Sequence, residues 1–128
     1  MDILIVTPRR DFWEILKSPF EERGAAVRMA GDIEEALASL HEARAALAVL
    51  DLFGGEAWDA AKHADALRSA VIRILMQDAM TNTASVCGMG DETFHDAMEG
   101  LGMISDLPAQ PGEQDVKKLM DALLTILG

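Results

Sequence analysis

Residues 45–55 read AALAVLDLFGG. The first six of them are apolar without interruption, which is typical of a central strand in a parallel sheet that helices cover on both faces. Asp51 follows directly, and the FGG sequence after it is a turn signal. This stretch therefore predicts a buried strand over residues 45–50 that delivers Asp51 at its carboxyl end.

Similar apolar runs occur on both sides of this strand, and an amphipathic stretch follows each of them. The runs cover residues 3–6, 25–30, 71–76 and 103–107. Strands that alternate with helices predict an α/β fold, with one open parallel sheet between two helical layers. Arg28 interrupts the second run, so we expect that strand at an edge.

Several residues mark the starts and ends of helices. Thr7 before Pro8 predicts the start of the first helix, and Asp32 with Glu35 forms a capping box for the next. Pro19 predicts that the helix over residues 11–24 breaks and restarts at Ser18. Apolar residues of that stretch are expected on one face: Phe12, Ile15, Leu16 and Phe20. Further helices are expected over residues 56–68, over residues 91–100 and after a break at residues 108–112. Residues 77–90 are expected to form a long loop.

Composition and charge limit the possible functions. The 128 residues fit one domain, residues 1–128, and the net charge of −11 disfavours nucleic acid and anionic membrane surfaces as partners. Cys87 is the only cysteine, so no internal disulfide can form. The start MDILIVTPRRDF lacks the charge order of a signal peptide, and no apolar run is long enough for a membrane span. We expect a cytoplasmic protein.

We expect a functional site at the carboxyl ends of the strands, because ligands of open α/β sheets bind there. The segments concerned are residues 7–8, 51–55, 76–78 and 106–110. The first turn, TPRRD, has no glycine, and the chain has neither a Walker loop nor a GxGxxG sequence. The sequence therefore gives no support for nucleotide hydrolysis or nicotinamide chemistry.

The order of elements, the length and the sequence LDLFGG after the third strand resemble the receiver domains of response regulators, the CheY-like family. The resemblance spans essentially the whole chain. It implies a three-layer flavodoxin-like (βα)5 fold with strand order 2-1-3-4-5, and it puts Asp51 at the phosphoacceptor position. Receivers also carry acidic residues that hold Mg²⁺, a Ser or Thr after the fourth strand and a Lys after the fifth. These groups neutralise the anions that phosphoryl transfer brings together.

Most of these assisting groups are replaced in this chain. Thr7 and Pro8 stand in place of the acidic residues, Met76 or Gln77 in place of the hydroxyl, and Ala109 in place of the lysine. The resemblance therefore implies a degenerate receiver that is not an enzyme, with phosphorylation of Asp51 lost or weakened. The same replacements argue against Mg²⁺ binding, and no other cofactor is expected.

Two interpretations of Asp51 and its neighbours stay open at this point. Arg9 or Arg10 could fold back and pair with Asp51 in place of the metal, because a partly buried carboxylate needs a compensating charge. Alternatively, Asp51 caps the following turn, and both arginines stay solvated at the start of the helix.

The remaining chemistry-bearing residues give weaker signals. A soft-metal site is disfavoured by irregular spacing; its ligands would be Cys87, Met80, Met89 and His95. His41, His63 and His95 are expected on the surface. Trp13 and Trp58 are expected at the edge of the core, or as anchors for a partner if they are exposed.

The leading hypothesis is a stand-alone signalling module of the two-component or phosphorelay type that acts by protein–protein contact. Receivers use the face of their last two helices and fifth strand, here residues 91–127, and Leu124 and Ile126 could form a homodimer or partner patch there. The loop over 77–90 would be the element that a partner orders. One alternative is a phosphorylation-competent receiver in which Asp11 or Asp78 supplies metal ligands. The other is a small-molecule-binding flavodoxin-like domain with the same loop as its lid.

Overall fold

The computed structural model describes all residues from 1 to 128 and shows five strands and six helices. The strands are β1 (Asp2–Val6), β2 (Ala26–Ala30), β3 (Leu47–Leu50), β4 (Asn82–Val86) and β5 (Ser105–Leu107). The helices are α1 (Arg10–Leu16), α2 (Ser18–Glu22), α3 (Ile33–Glu42), α4 (Ala60–Gln77), α5 (Asp91–Ala97) and α6 (Glu113–Leu127). None of the helices is both long and apolar enough to cross a membrane.

All strand pairs are parallel, and the order in the sheet is β2-β1-β3-β4-β5. This confirms the three-layer fold and the strand order implied by the resemblance, and it puts β2 at an edge as Arg28 indicated. Val6 of β1 pairs with Leu50 of β3, so Thr7 and Asp51 leave the sheet side by side. The site at the carboxyl ends follows from this register.

Two buried clusters lie on opposite faces of the sheet. Leu4 and Val6 point into the cluster under α3, α4 and α5, whereas Ile3 and Ile5 point into the cluster under α1, α2 and α6. This alternation has the period of two that side chains on a strand require. Each central strand therefore buries both of its faces, which explains why its sequence is apolar throughout.

The helix after β1 breaks as expected, but two details of the prediction are wrong. α1 ends at Leu16 and α2 begins at Ser18. Trp13 is completely buried, and its indole N–H bonds to the buried Asp51, whereas Ile15 is 83% exposed; α1 therefore turns a different face to the core from the one predicted. Thr7 does not cap α1 with its side chain, because its hydroxyl bonds to Asp51 and to the backbone N–H of Arg9 instead.

The fourth strand lies later in the chain than predicted. Residues 71–76 form the second half of α4, which starts at its N-cap Asp59, and they contribute Val71 and Ile74 to one buried helical stripe with Leu67. β4 runs through the middle of residues 77–90, for which the sequence predicts a loop. The proposed ordering of that loop by a partner, and its role as a lid, are therefore wrong.

Candidate functional site

Asp51 is completely buried at the end of β3, and both of its carboxylate oxygens accept hydrogen bonds. Oδ2 accepts from Thr7 Oγ1 at 2.8 Å, from Arg9 Nε at 2.7 Å and from Trp13 Nε1 at 2.8 Å. Oδ1 accepts from Arg9 Nη2 at 3.1 Å. Hydrogen bonds from charged and neutral donors together replace the water that this carboxylate lost on burial.

Arg9 brings its guanidinium onto Asp51 from the turn between β1 and α1. The same group donates to the carbonyl of Ala109 at 2.7 Å and to Gln110 Oε1 at 2.8 Å, and it lies 4.0 Å from the centroid of the Phe12 ring. The contact of Arg9 with Asp51 is bidentate, through Nε and Nη2, which a planar guanidinium can form and a lysine ammonium cannot. Arg9 therefore joins the turns after β1, β3 and β5.

Gln110 and Gly55 complete this arrangement. Gln110 donates from Nε2 to the carbonyl of Gly55 at 3.3 Å. Gly55 has a φ of 88°, and a Cβ atom there would collide with the side chains of Arg9 and Gln110. Glycine is favoured at this position because other residues rarely adopt this backbone conformation, and because a side chain would displace the ends of Arg9 and Gln110 from each other.

Arg10 does not take part in the site. It is exposed, and its only hydrogen bond is a long one, 3.5 Å from Nη2 to the carbonyl of Met29. The structure thus brings one of the two candidate arginines to Asp51 and leaves the other in solvent. Three helical residues separate Arg9 from Trp13, so both side chains reach Asp51 from the same side of α1.

The residue that follows β4 near Asp51 is Cys87, and the assignment of Met76 or Gln77 to this place is wrong. Met76 and Gln77 lie in the last turn of α4, and both are exposed. Burial and the nearby carboxylate of Asp106 raise the pKa of the Cys87 thiol to about 12. Cys87 is therefore a neutral thiol at physiological pH and a poor nucleophile.

Asp106 is a second structural carboxylate at this end of the sheet. The sequence places it in one of the strand-end segments, residues 106–110, but predicts no role for it. Its Oδ1 accepts from Ser85 Oγ at 2.7 Å and from the backbone N–H of Cys87 at 2.9 Å. Its Oδ2 accepts from the N–H of Met89 at 2.7 Å. Asp106 thereby fixes the turn after β4 to β5.

The donor set around Asp51 does not fit Mg²⁺. Both Asp51 oxygens face N–H or O–H donors, and Thr7 and Pro8 offer no carboxylate beside it, whereas Mg²⁺ prefers several oxygen ligands in octahedral array. Asp11 is exposed. Asp78 is bonded to Arg44 at 2.7 Å, and it follows α4 at the opposite end of the sheet, so it cannot supply a ligand.

The proposed soft-metal ligands do not lie together. Met80 precedes β4, whereas Cys87 and Met89 follow it. A strand of five residues separates its two ends by about 16 Å. No group of three His, Cys, Asp or Glu side chains in the chain is arranged to hold a metal ion.

His63 is buried, so its assignment to the surface is wrong; His41 and His95 are exposed as expected. The His63 ring stacks on Phe53 with centroids 4.1 Å apart, and its Nδ1 accepts from the N–H of Asp59 at 3.0 Å. His63 Nε2 lies 3.6 Å from Glu56 Oε2, and the indole N–H of the neighbouring, half-buried Trp58 has no hydrogen-bond partner. The stacking holds the turn after β3 against α4.

No protein-family model and no curated protein sequence matches the chain. Solved structures do match it. A response regulator from Thermotoga maritima superposes with a TM-score of 0.77 at 14% identity, covering 97% of each chain. A two-component response regulator from Clostridium difficile gives 0.74 at 16% identity and covers 100% of this chain and 98% of its own.

A chemotaxis protein of the CheY type, CheY4 from Vibrio cholerae, gives a TM-score of 0.69 at 16% identity, covering 95% of this chain and 97% of its own. Matches of this extent, from the first strand to the last helix, show that the chain has the fold of response-regulator receiver domains. The CheY-like fold implied by the resemblance is confirmed.

Proposed function

We propose that this chain is a signalling protein of the response-regulator type that works by protein–protein contact, without efficient phosphorylation of Asp51. One observation carries the proposal. The carboxylate at the phosphoacceptor position is buried and already holds hydrogen bonds from Thr7, Arg9 and Trp13. The receiver fold supports the signalling role, and the content of the site supports the loss of the phosphoryl chemistry.

The chemical argument concerns accessibility and charge. A carboxylate oxygen that attacks a phosphodonor must be free of its donors and aligned with the departing group. Asp51 is 0% exposed, and Oδ2 alone accepts three hydrogen bonds. The positive charge of Arg9 neutralises Asp51 itself, which leaves no cation for the incoming phosphoryl group.

The partner face is proposed to be α5, β5 and α6. Ile126 and Leu127 at the end of α6 are 55% and 51% exposed, so they are available for a contact. Leu124 is partly buried and packs against the core, so it contributes less to such a patch than the sequence suggested. An apolar end on an otherwise acidic surface is suited to a protein partner or a second copy of the chain.

Exposure to a small phosphodonor tests the proposal. The full chain is incubated with acetyl phosphate and Mg²⁺, and intact mass is followed beside a phosphorylatable receiver and the Asp51→Asn variant. We expect no mass gain of one phosphoryl group for the wild type under conditions that modify the reference receiver. Modification of the wild type that is absent in Asp51→Asn would overturn the proposal in favour of a phosphorylation-competent receiver.

A further inference from the structure

A cavity of about 290 Å³ lies between α3 and α4, at the carboxyl ends of β1 and β3. Strand order reverses between these two strands, and doubly wound sheets bind ligands at such a point. The apolar part of the lining is formed by Pro8, Ile33, Leu52, Phe53, Ala66 and Ala70. The stacking of Phe53 on buried His63 holds one wall in place, so the cavity is formed without a ligand.

The charged groups at the cavity determine the sign of a ligand. Arg73 lines the cavity, but it forms an ion pair with Glu34 at 2.8 Å. Glu35 accepts the N–H of Gly31 at 2.7 Å, at the start of α3. Asp32 accepts the N–H of Glu35 on Oδ1 at 2.9 Å, which leaves its second oxygen free. Among the charged residues that line the cavity, the one cation, Arg73, is therefore paired with a carboxylate outside the lining, whereas the one anion, Asp32, is exposed and keeps an oxygen for a ligand. The chain's net charge of −11 adds a negative potential.

We propose that this cavity binds a small organic cation with a flat apolar body, of the arylalkylamine class. The body packs against Phe53, Leu52 and Ile33, and the ammonium group donates to the free oxygen of Asp32. Small-molecule sites commonly combine apolar walls with a few polar groups that fix orientation. The size is sufficient for one ring and a short side chain.

The site would be connected to Asp51 through Thr7. Thr7 lines the cavity, and its hydroxyl donates to Asp51, so a ligand would contact the turn that holds the carboxylate. The proposal does not depend on whether Asp51 accepts a phosphoryl group. It goes beyond the signalling role and would stand if that role failed.

Three probes of nearly identical shape separate charge from apolar contact: phenethylamine, 2-phenylethanol and phenylacetate. Each is titrated into the full chain, and backbone amide shifts are followed by nuclear magnetic resonance. We expect phenethylamine to saturate at about millimolar concentration, as a ligand of this size permits, with shifts at Thr7, Ile33 and Ala66. The alcohol should bind about tenfold more weakly, and phenylacetate more weakly again.

Two variants test the same site from opposite directions. Ala66→Leu fills the cavity from an exposed position of α4 and should abolish binding of all three probes. Asp32→Asn keeps a good N-cap for α3 and should reduce phenethylamine affinity to that of the alcohol. The charge-matched control Asp91→Asn, at the start of α5, should leave it unchanged.

Two results would overturn the proposal. One is phenylacetate binding as tightly as phenethylamine. The other is phenethylamine binding that persists in Ala66→Leu or fails to shift the three lining residues.

Discussion

The pair of Arg9 and Asp51 has an energetic consequence that exposed ion pairs lack. The Asp51 side chain is 0% exposed and that of Arg9 is 17% exposed. A buried pair of this kind contributes little net stability relative to an apolar replacement, yet removal of one partner leaves a charge without compensation. The asymmetry makes Arg9 the residue whose loss affects the folded state most directly.

Arg9→Met should therefore destabilise the protein by about 3 kcal/mol, at the low end for a broken buried pair because Arg9 is partly exposed. Urea unfolding at neutral pH measures this change. Arg10→Met is the matched control, since it removes the same charge from a residue that does not contact Asp51, and it should change stability by less than about 0.5 kcal/mol. Adding Asp51→Asn to Arg9→Met should recover part of the loss. Equal effects of the two arginine variants would show that Arg9 does not compensate Asp51.

Cys87 gives the stability a dependence on alkaline pH. Burial raises its pKa from an ordinary value of 9.0 to about 12 in the folded state. The folded protein therefore keeps a proton that the unfolded chain loses, and stability is full below about pH 9 and falls as the pH rises from there. The chain has no tyrosine, so no phenol titrates in the same range.

Comparison with Cys87→Ala isolates this effect, because lysine titration is common to both proteins. Between about pH 8 and about pH 10.5 the wild type should lose about 1–2 kcal/mol more of its unfolding free energy than the variant does. Urea unfolding at the two pH values provides the measurement. Parallel curves for the two proteins would mean that the Cys87 thiol ionises as easily folded as unfolded.

Among the elements, α4 and β4 are the two that the apolar pattern of the sequence did not predict correctly. Residues 71–76, VIRILM, are apolar enough for a strand, but Val71 and Ile74 continue a helical spacing that begins at Leu67. β4 has the sequence NTASV, and its Thr83 and Ser85 side chains are buried. Small polar residues give a weak strand signal, because their burial depends on partners elsewhere in the chain.

The sequence predicts those residues of the site whose positions are determined by the end of a recognisable strand. Asp51 and the turn with Arg9 were placed correctly because β1 and β3 are strongly apolar. Cys87 was missed because its place depends on β4, and Gln110 because its partners Arg9 and Gly55 lie 101 and 55 positions away along the chain. Trp13 had an available signal, since it lies one helical turn from Arg9.

Asp106 of β5 fixes the turn after β4 through its hydrogen bonds, and replacing Asp106 tests whether these bonds stabilise the turn. Asp106→Ala removes three accepted hydrogen bonds and should cost about 2–3 kcal/mol, because two backbone N–H groups lose their acceptor. Asp106→Asn keeps one acceptor oxygen and should cost about half as much. Urea unfolding gives both values, and amide hydrogen exchange should show faster exchange at Cys87 and Met89. Unchanged exchange at these two amides in Asp106→Ala would contradict the assigned role.

The whole molecule has one uniform property, a large excess of acidic side chains. Twenty-two acidic and 11 basic residues give −11, and among the ion pairs only that of Arg9 has a fully buried carboxylate. The favourable ion pairs join atoms a few ångströms apart, whereas the repulsion among the acidic side chains acts across the protein surface over longer distances. Salt screens the long distances first, since the Debye length falls from about 20 Å at about 20 mM to about 6 Å at about 300 mM.

Added sodium chloride should therefore stabilise the protein over this range, with a rise in Tm of about 3–5 °C, equivalent to about 1 kcal/mol for a domain of this size. A variant with Glu22, Glu42 and Glu99 changed to Gln supplies the control. These three side chains are exposed and form no ion pair, and their replacement takes the net charge from −11 to −8. The variant should have the higher Tm at low salt and the smaller increase with salt. A fall of the wild-type Tm with salt, or equal increases for both proteins, would mean that short-range pairs rather than overall repulsion dominate the electrostatics of the fold.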